Sequence, residues 1–170
     1  VLEGDPVDYK SLVIIGGGVI GVEFATFYHR LGCEVTIIEA KERILPTMDR
    51  EVSQNLGMIL KKRGISIHTS ATVEEITTDG GMLCCQFSKG DQQEFVRAQG
   101  VLVSIGRRPY TESLFGPGIA PEMERGRIVT KEDFSTSLEQ IWAIGDVTSH
   151  IQLAHLLFCG RFLFDVQLRF

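Results

Sequence analysis

Residues 13–23 read VIIGGGVIGVE, an apolar run that meets spaced glycines and continues as a helical pattern. Gly16 can form a tight turn, Gly18 has no Cβ to hinder approach to a pyrophosphate, and Gly21 lets the helix pack closely on the strand. The free N–H groups and partial positive charge of the helix N-terminus favour an anion there. The stretch therefore predicts a dinucleotide-phosphate site. Its candidate residues are Gly16, Gly17, Gly18, Val19, Ile20 and Gly21.

The chain around these glycines predicts a β-α-β unit. A continuous apolar strand is expected at residues 11–15, a helix at residues 19–31 and a second strand at residues 34–38. Gly32 follows the helix, as is common at a helix C-terminus. The helix face expected to lie on the sheet consists of apolar residues at helical spacing, namely Ile20, Phe24, Phe27 and Leu31.

Glu39 follows the second strand, 18 residues after Gly21. At roughly 20 residues from such glycines, an acid accepts hydrogen bonds from the adenosine ribose hydroxyls and repels a 2′-phosphate. Lys41 and Arg43 lie nearby and could hold a 2′-phosphate, but Glu39 occupies the discriminating position. We therefore predict NAD rather than NADP. A solvated acid at a strand end is the alternative interpretation of Glu39.

The rest of the chain extends this unit to a larger α/β domain. A second helix capped by Asp49 and a third strand at residues 65–68 come next. Residues 71–96 alternate with period two between glycine turns, which predicts an antiparallel β-meander inserted into the parallel sheet. We therefore expect a three-layer, Rossmann-like fold. The apolar positions expected to be buried in the second helix are Val52, Leu56, Ile59 and Leu60.

Two further candidate residues lie near the ends of later strands. Gly106 follows an apolar strand at residues 101–105 and would let a backbone approach a ligand. Arg107 could hold a phosphate or an interdomain carboxylate, or equally form a surface salt bridge. Asp146 follows the short strand expected at residues 141–144, where it is placed either to bond sugar hydroxyls or to cap a turn.

Composition excludes several classes of function. With 17 basic and 22 acidic residues and a net charge of −5, the 170-residue chain gives no reason to expect nucleic acid or an anionic membrane as a partner. No run approaches the ~18 apolar residues of a membrane span and no signal-peptide pattern is present, so we expect a cytoplasmic location. The cysteines lack metal-ligand spacing and are interpreted as structural thiols, with no metal site. They are Cys33, Cys84, Cys85 and Cys159.

Several motifs in one order resemble the pyridine nucleotide-disulfide oxidoreductases, and among them the dihydrolipoamide dehydrogenases. The motifs are residues 16–23, Glu39, residues 44–49 (ILPTMD), Gly106-Arg107 with Pro109, and residues 142–146 (WAIGD). The resemblance implies an FAD/NAD(P)-binding fold, with an NAD-binding domain at residues 1–150 and the start of the return to an FAD domain at residues 151–170.

The resemblance also implies a reaction for the full enzyme. Dihydrolipoamide reduces a disulfide, the resulting dithiol reduces FAD, and FAD passes a hydride to NAD⁺. By position, the glycines would line the pyrophosphate, Glu39 would bind the adenosine ribose and Gly106 would border the NAD site. Glu23 would approach the nicotinamide end, or else act as a first-turn acid on the helix dipole. Asp146 would bind the ribitol or phosphate region of FAD.

The implied partners are the FAD and dimerisation domains of the enzyme and a 2-oxo acid dehydrogenase complex. The family's FAD glycine motif, its C-x-x-x-x-C redox pair and its catalytic His-Glu pair have no counterpart in the sequence, which begins with Val1. We therefore expect a piece of a longer enzyme that binds NAD without turnover, and assign no catalytic residue. Residues 156–164 depart from the family's pattern, and a shift of the reading frame by one nucleotide could explain the departure. The sequence after residue 155 is therefore interpreted as non-native.

Three alternatives remain open at this point. The chain could be a freestanding NAD-sensing regulatory module, or a domain of a mercuric or glutathione reductase. It could also be a complete small NAD-dependent dehydrogenase, although the positions of its tyrosines and histidines do not supply the catalytic constellation that such an enzyme needs.

Overall fold

The computed structural model describes residues 8–148. The chain divides into two compact units, the first ending at Gly106 and the second beginning at Arg107. Cys159 and the change of sequence after residue 155 lie outside the described residues. The elements of the first unit are β1 (Ser11–Ile15), α1 (Val19–Arg30), β2 (Glu34–Glu39), α2 (Arg50–Lys62), β3 (Ser66–Thr69), β4 (Thr72–Asp79), β5 (Met82–Lys89), β6 (Gln92–Ala98) and β7 (Gly100–Val103).

A parallel sheet in the order β3-β2-β1-β7 forms the centre of the first unit. Ile14 of β1 lies opposite Ile37 of β2 on one side and opposite Leu102 of β7 on the other. From β1 the chain builds outward through β2 and β3, and it reaches the other side only with β7. The order therefore reverses beside β1, and ligands of such sheets bind outside the carboxyl ends of the strands at that point.

The two faces of this sheet are covered by different layers. Alternate residues of a strand point to opposite faces, so Leu12 and Ile14 pack with the helices while Val13 packs with the meander. The meander is a separate antiparallel sheet in the order β4-β5-β6, inserted along the chain between β3 and β7. Phe87 of β5 is buried beneath Val13 and Ile38 in this second core cluster. The predicted three-layer α/β fold is confirmed.

The buried face of α1 differs from the predicted one. Ile20, Phe27 and Leu31 are 46%, 52% and 65% exposed, so of the expected stripe only Phe24 packs against the core. The face that does so carries smaller residues next to the glycine turn, because a helix that packs closely on a strand needs little side-chain bulk there. It consists of Gly21, Val22, Ala25 and Tyr28.

Glu23 and the second helix also require corrections. Since α1 begins at Val19, no acid lies in its first turn, and the dipole alternative for Glu23 is wrong. In α2, Leu60 is buried as predicted, whereas Val52 and Ile59 are exposed. Ser53 is buried in their place, and its hydroxyl donates a hydrogen bond to the Ile44 carbonyl.

The cysteines of the described residues are buried and free. Burial raises the pKa of the Cys33 and Cys85 thiols above the usual range, so these groups stay protonated and poorly nucleophilic. Among the described residues no group of His, Cys, Asp and Glu side chains could hold a metal ion, and neither helix is long and apolar enough to cross a membrane.

The described part of the second unit, residues 107–148, has little regular structure. Strands β8 (Met123–Glu124) and β9 (Arg127–Ile128) form a short antiparallel pair, and a 3₁₀ turn follows at Gly145–Val147. The strand predicted at residues 141–144 is wrong, since only an isolated bridge between Ser135 and Trp142 forms there. Asp146 consequently lies in the 3₁₀ turn rather than behind a strand.

Candidate functional site

The turn between β1 and α1 requires glycine at two positions for packing reasons. Gly16 has a φ of +106°, and a Cβ there would lie 2.5 Å from the Ser104 carbonyl oxygen. A Cβ on Gly21 would collide with the Gly16 carbonyl oxygen and lie 2.7 Å from Ser104 Oγ. These two glycines therefore allow β1, α1 and the end of β7 to meet.

The other two glycines of the turn differ from each other. A Cβ on Gly17 would lie 2.9 Å from Ile44 Cγ2 and 3.1 Å from Glu39 Cβ, so protein atoms fill the space beside it. A Cβ on Gly18 would have no heavy atom within 4 Å. Gly18 thus leaves open space at the start of the helix, where a ligand can approach the backbone.

Hydrogen bonds occupy the N–H and C=O groups of both Gly16 and Gly17. Since their own polar groups are paired, these two residues are fixed rather than available to a ligand. The Gly16 N–H donates to the Ile38 carbonyl (2.8 Å), and the Gly16 C=O accepts from the Ser104 hydroxyl (3.1 Å). The Gly17 N–H donates to the Glu39 carboxylate (2.5 Å), and the Gly17 C=O accepts from the Leu45 N–H (2.7 Å).

The N-terminus of α1 is the next polar surface along the turn. Gly18 is its N-cap residue in extended conformation, with φ −70° and ψ −178°, and no side chain caps the helix. The first turn also contains no acid. The N–H groups of this turn and their partial positive charge are therefore available to an anion.

Glu39 is the acid at the carboxyl end of β2, and it is only 8% exposed. Its Oε2 accepts from the Gly17 N–H at 2.5 Å, and its Oε1 accepts from the Lys41 N–H at 2.7 Å. A carboxylate offers about four lone-pair positions, so each oxygen can accept one further hydrogen bond. Glu39 can therefore hold the glycine turn and bind a pair of hydroxyls at the same time.

A cavity of about 620 Å³ lies at the carboxyl ends of β1, β2 and β7, where the strand order reverses. Its volume falls within the ~300–1,000 Å³ typical of ligand pockets. The residues that line it include Gly16, Gly18, Glu39, Lys41, Ser104 and Gly106. The glycine turn, the acid and Gly106, which were separate expectations from the sequence, therefore meet at one cavity.

Other predicted residues lie elsewhere. Val19 and Ile20 form the exposed first turn of α1, and Glu23 is exposed further along that helix, outside the cavity lining. In the second unit, Asp146 Oδ2 lies 3.5 Å from Arg107 Nη1, and both side chains are exposed. Arg107 thus forms the surface salt bridge that was one of its two interpretations.

A family model described as pyridine nucleotide-disulphide oxidoreductase matches residues 2–156. The chain belongs to this family. Dihydrolipoamide dehydrogenase of Chaetomium thermophilum is 43% identical over 150 residues, which cover 86% of this chain and 30% of that protein. Dihydrolipoyl dehydrogenase of Mycoplasma pneumoniae is 40% identical over 157 residues, covering 92% of this chain and 33% of that protein. The chain thus spans about a third of the length of these oxidoreductases.

Solved structures of similar proteins have the same fold. The HOCl-induced flavoprotein disulfide reductase of Escherichia coli superimposes with a TM-score of 0.85 at 34% identity, over 99% of this chain and 38% of that chain. The water-forming NADH oxidase of Lactobacillus brevis, solved with NADH, gives a TM-score of 0.85 at 25% identity, over 95% of this chain and 37% of that chain. The predicted family and Rossmann-like fold are therefore confirmed.

Sequence reasoning missed two residues that contact the glycine turn of this chain. The pattern of residues 101–105 predicts only an apolar strand, although the Ser104 hydroxyl within the run VLVSI is a polar interruption that needs a partner. Leu45 contributes a backbone amide, for which the side chain gives no signal. Its φ of +48° is visible only in the folded structure.

Proposed function

We propose that this chain is the NAD(H)-binding domain of a dihydrolipoamide dehydrogenase-like flavoprotein disulfide oxidoreductase. The observation that carries the proposal is the open N-terminus of α1 at Gly18, which shares a cavity with the Glu39 carboxylate. A dinucleotide needs a site for its pyrophosphate and a site for the adenosine ribose, and these two features supply them side by side.

The roles follow from the available donors and acceptors. The pyrophosphate oxygens accept hydrogen bonds from the N–H groups at the start of α1, whose first turn contains no acid. The ribose hydroxyls donate to Glu39, whose oxygens each have an acceptor position left. Gly106, with φ +122° and no atom near its missing Cβ, borders the same cavity and admits the rest of the dinucleotide.

The same arrangement supports NAD over NADP. A 2′-phosphate would bring its negative charge against the Glu39 carboxylate, which is 8% exposed and therefore weakly screened by water. Lys41 also lines the cavity, so a cation is available nearby. We assign the discrimination between NAD and NADP to Glu39, because its carboxylate accepts the hydrogen bond from the glycine turn. Lys41 contributes its backbone N–H to the same carboxylate.

For the whole enzyme, the proposal includes the remaining parts of the flavoprotein. The relatives are named as dihydrolipoamide dehydrogenases and as a flavoprotein disulfide reductase, and one relative was solved with NADH. We propose that FAD and the redox disulfide lie outside this chain, that Asp146 approaches FAD and that Glu23 approaches the nicotinamide. A 2-oxo acid dehydrogenase complex is the proposed assembly. This chain would then bind NAD without turnover.

Titration calorimetry with NADH and NADPH tests the proposal. We expect NADH to bind at least about tenfold more tightly, a difference of ~1.4 kcal/mol. Glu39→Gln removes the charge but leaves one acceptor oxygen for the Gly17 and Lys41 N–H groups, so both nucleotides should bind more weakly while the two dissociation constants come together. Equal affinities in the wild-type chain would contradict the role of Glu39, and no binding of either nucleotide would contradict the proposed function.

A further inference from the structure

We infer that Arg43 is a positioning residue for the nucleotide-phosphate turn, acting through the loop at residues 44–48. The inference rests on the proposed function and adds a residue that does not line the dinucleotide cavity. Arg43 Nη2 donates to the Pro46 carbonyl at 3.2 Å. Within the same loop, the Leu45 N–H donates to the Gly17 carbonyl at 2.7 Å. The guanidinium thus holds the Pro46–Thr47 peptide, two peptides beyond the Ile44–Leu45 peptide that contacts the glycine turn.

This loop adopts a conformation that its sequence does not favour. Leu45 has a φ of +48°, in the left-handed region that a leucine rarely occupies. Its side chain is buried, and its carbonyl accepts from the Met48 N–H at 2.9 Å. The hydroxyl of Ser53 in α2 bonds the preceding Ile44 carbonyl. Contacts from outside the loop, with Arg43 on one side and Ser53 on the other, therefore maintain the direction of the Leu45 N–H.

That direction matters because Gly17 is held from two sides. Glu39 accepts from its N–H at 2.5 Å, and the Leu45 N–H donates to its C=O at 2.7 Å. The Gly17 C=O belongs to the peptide whose N–H is that of Gly18, the N-cap of α1. When the Leu45 N–H turns away, this peptide can rotate, and the Gly18 N–H no longer has a fixed direction towards the cavity.

Stability does not explain why an arginine occupies this position. Its Nε is buried and has no hydrogen-bond partner among the described residues, which costs free energy. Its Nη1 pairs with the exposed Glu42 at 3.3 Å, a contact of small value at a surface. The remaining contact of the guanidinium is the hydrogen bond to the Pro46 carbonyl, which holds the loop.

The test compares Arg43→Gln with the matched variant Arg63→Gln, which removes the same charge at the exposed C-terminal end of α2. Calorimetry should show NADH binding to Arg43→Gln at least about tenfold more weakly, and Arg63→Gln within about twofold of wild type. In the ligand-free protein, amide hydrogen exchange at Leu45 and Gly17 should become faster in Arg43→Gln only. Arg43→Lys keeps one donor for the Pro46 carbonyl and should fall between the two.

Exchange in the ligand-free protein separates positioning from direct contact with the nucleotide. The inference fails if Arg43→Gln binds NADH as tightly as Arg63→Gln, or if exchange at Gly17 is unchanged. If the wild-type chain binds NADH, either of these two results contradicts the inference and leaves the proposed function standing. If the wild-type chain binds no NADH, the proposed function is contradicted as well. If thermal melting shows Arg43→Gln to be unfolded, Arg43→Met, which keeps an unbranched apolar side chain without a donor for the Pro46 carbonyl, carries both measurements, and wild-type behaviour of that variant overturns the inference.

Discussion

The two helices of the first unit begin in opposite ways. At α2, Asp49 accepts a hydrogen bond from the Glu51 N–H at 2.8 Å, and Glu51 adds a second acid to the first turn. At α1, Gly18 provides no side-chain cap and the first turn has no acid. Both helices follow a strand of the same sheet, so the difference lies in the residues at their ends.

Under the proposed function, this difference separates a structural helix end from one that binds the nucleotide. The Asp49 carboxylate satisfies the Glu51 N–H, and the two acids oppose the partial positive charge of this helix end, so an added anion gains little there. The N-terminus of α1 keeps its N–H groups and its partial positive charge available to a ligand. Glycine is itself an acceptable N-cap residue, within a few tenths of a kcal/mol of aspartate, so the open end costs the fold little.

Giving α1 the cap of α2 should produce the largest effect. In Gly18→Asp the new side chain enters open space, and the extended backbone suits an N-cap residue. We expect unchanged or slightly higher thermal stability, but NADH binding about 100-fold weaker, because a carboxylate then occupies the phosphate position. Calorimetry and thermal melting measure the two quantities.

Gly18→Asn is the matched control, since it supplies a similar cap without the charge. It should weaken NADH binding less than Gly18→Asp does. Equal losses in the two variants would show that bulk at this position, and not charge, excludes the phosphate.

The reciprocal change at α2 should have a smaller and different effect. Asp49→Ala removes the cap and is expected to lower the free energy of unfolding by about 1 kcal/mol. The dissociation constant for NADH should not change, since Asp49 does not line the dinucleotide cavity. Urea unfolding and calorimetry check the two expectations, and weaker NADH binding would contradict the separation of the two helix ends.

Ser104→Ala should have the smallest effect of the three. The hydroxyl donates to the Ile15 and Gly16 carbonyls, both at 3.1 Å, and its loss leaves one contact fewer on the glycine turn. We expect NADH binding about threefold weaker, within the range of one neutral hydrogen bond. Ser66→Ala, at an exposed position of β3, is the control that calorimetry should find unchanged. A loss of the same size in both would remove the assigned contact.

Much of this site could be predicted from the sequence because its determinants are local. The apolar run of β1, the spacing of the glycines and the position of Glu39 place the turn and the acid at one edge of a parallel sheet. Because a β-α-β unit has a regular geometry, these positions can be inferred without knowing any tertiary contact.

The remaining features depend on how elements approach one another in space. The buried face of α1 is the small-residue face at Gly21 and Ala25, which periodicity alone does not distinguish from the larger apolar stripe. The contacts of Ser104 and Leu45 involve backbone groups that are distant along the chain. The strand predicted at residues 141–144 has suitable residues but only an isolated bridge there.

The sequence separation between the glycine turn and Ser104, which contacts it, has a consequence for the order of folding. Gly16 and Ser104, which hydrogen bond to each other, are 88 residues apart along the chain. Closing a loop of that length is slow compared with forming helices or hairpins. During synthesis the ribosome releases β1 long before β7, and the edge of β1 stays unpaired until β7 arrives. We therefore expect the glycine turn to gain its contact with Ser104 only after β7 has been made, although the turn precedes the meander along the chain.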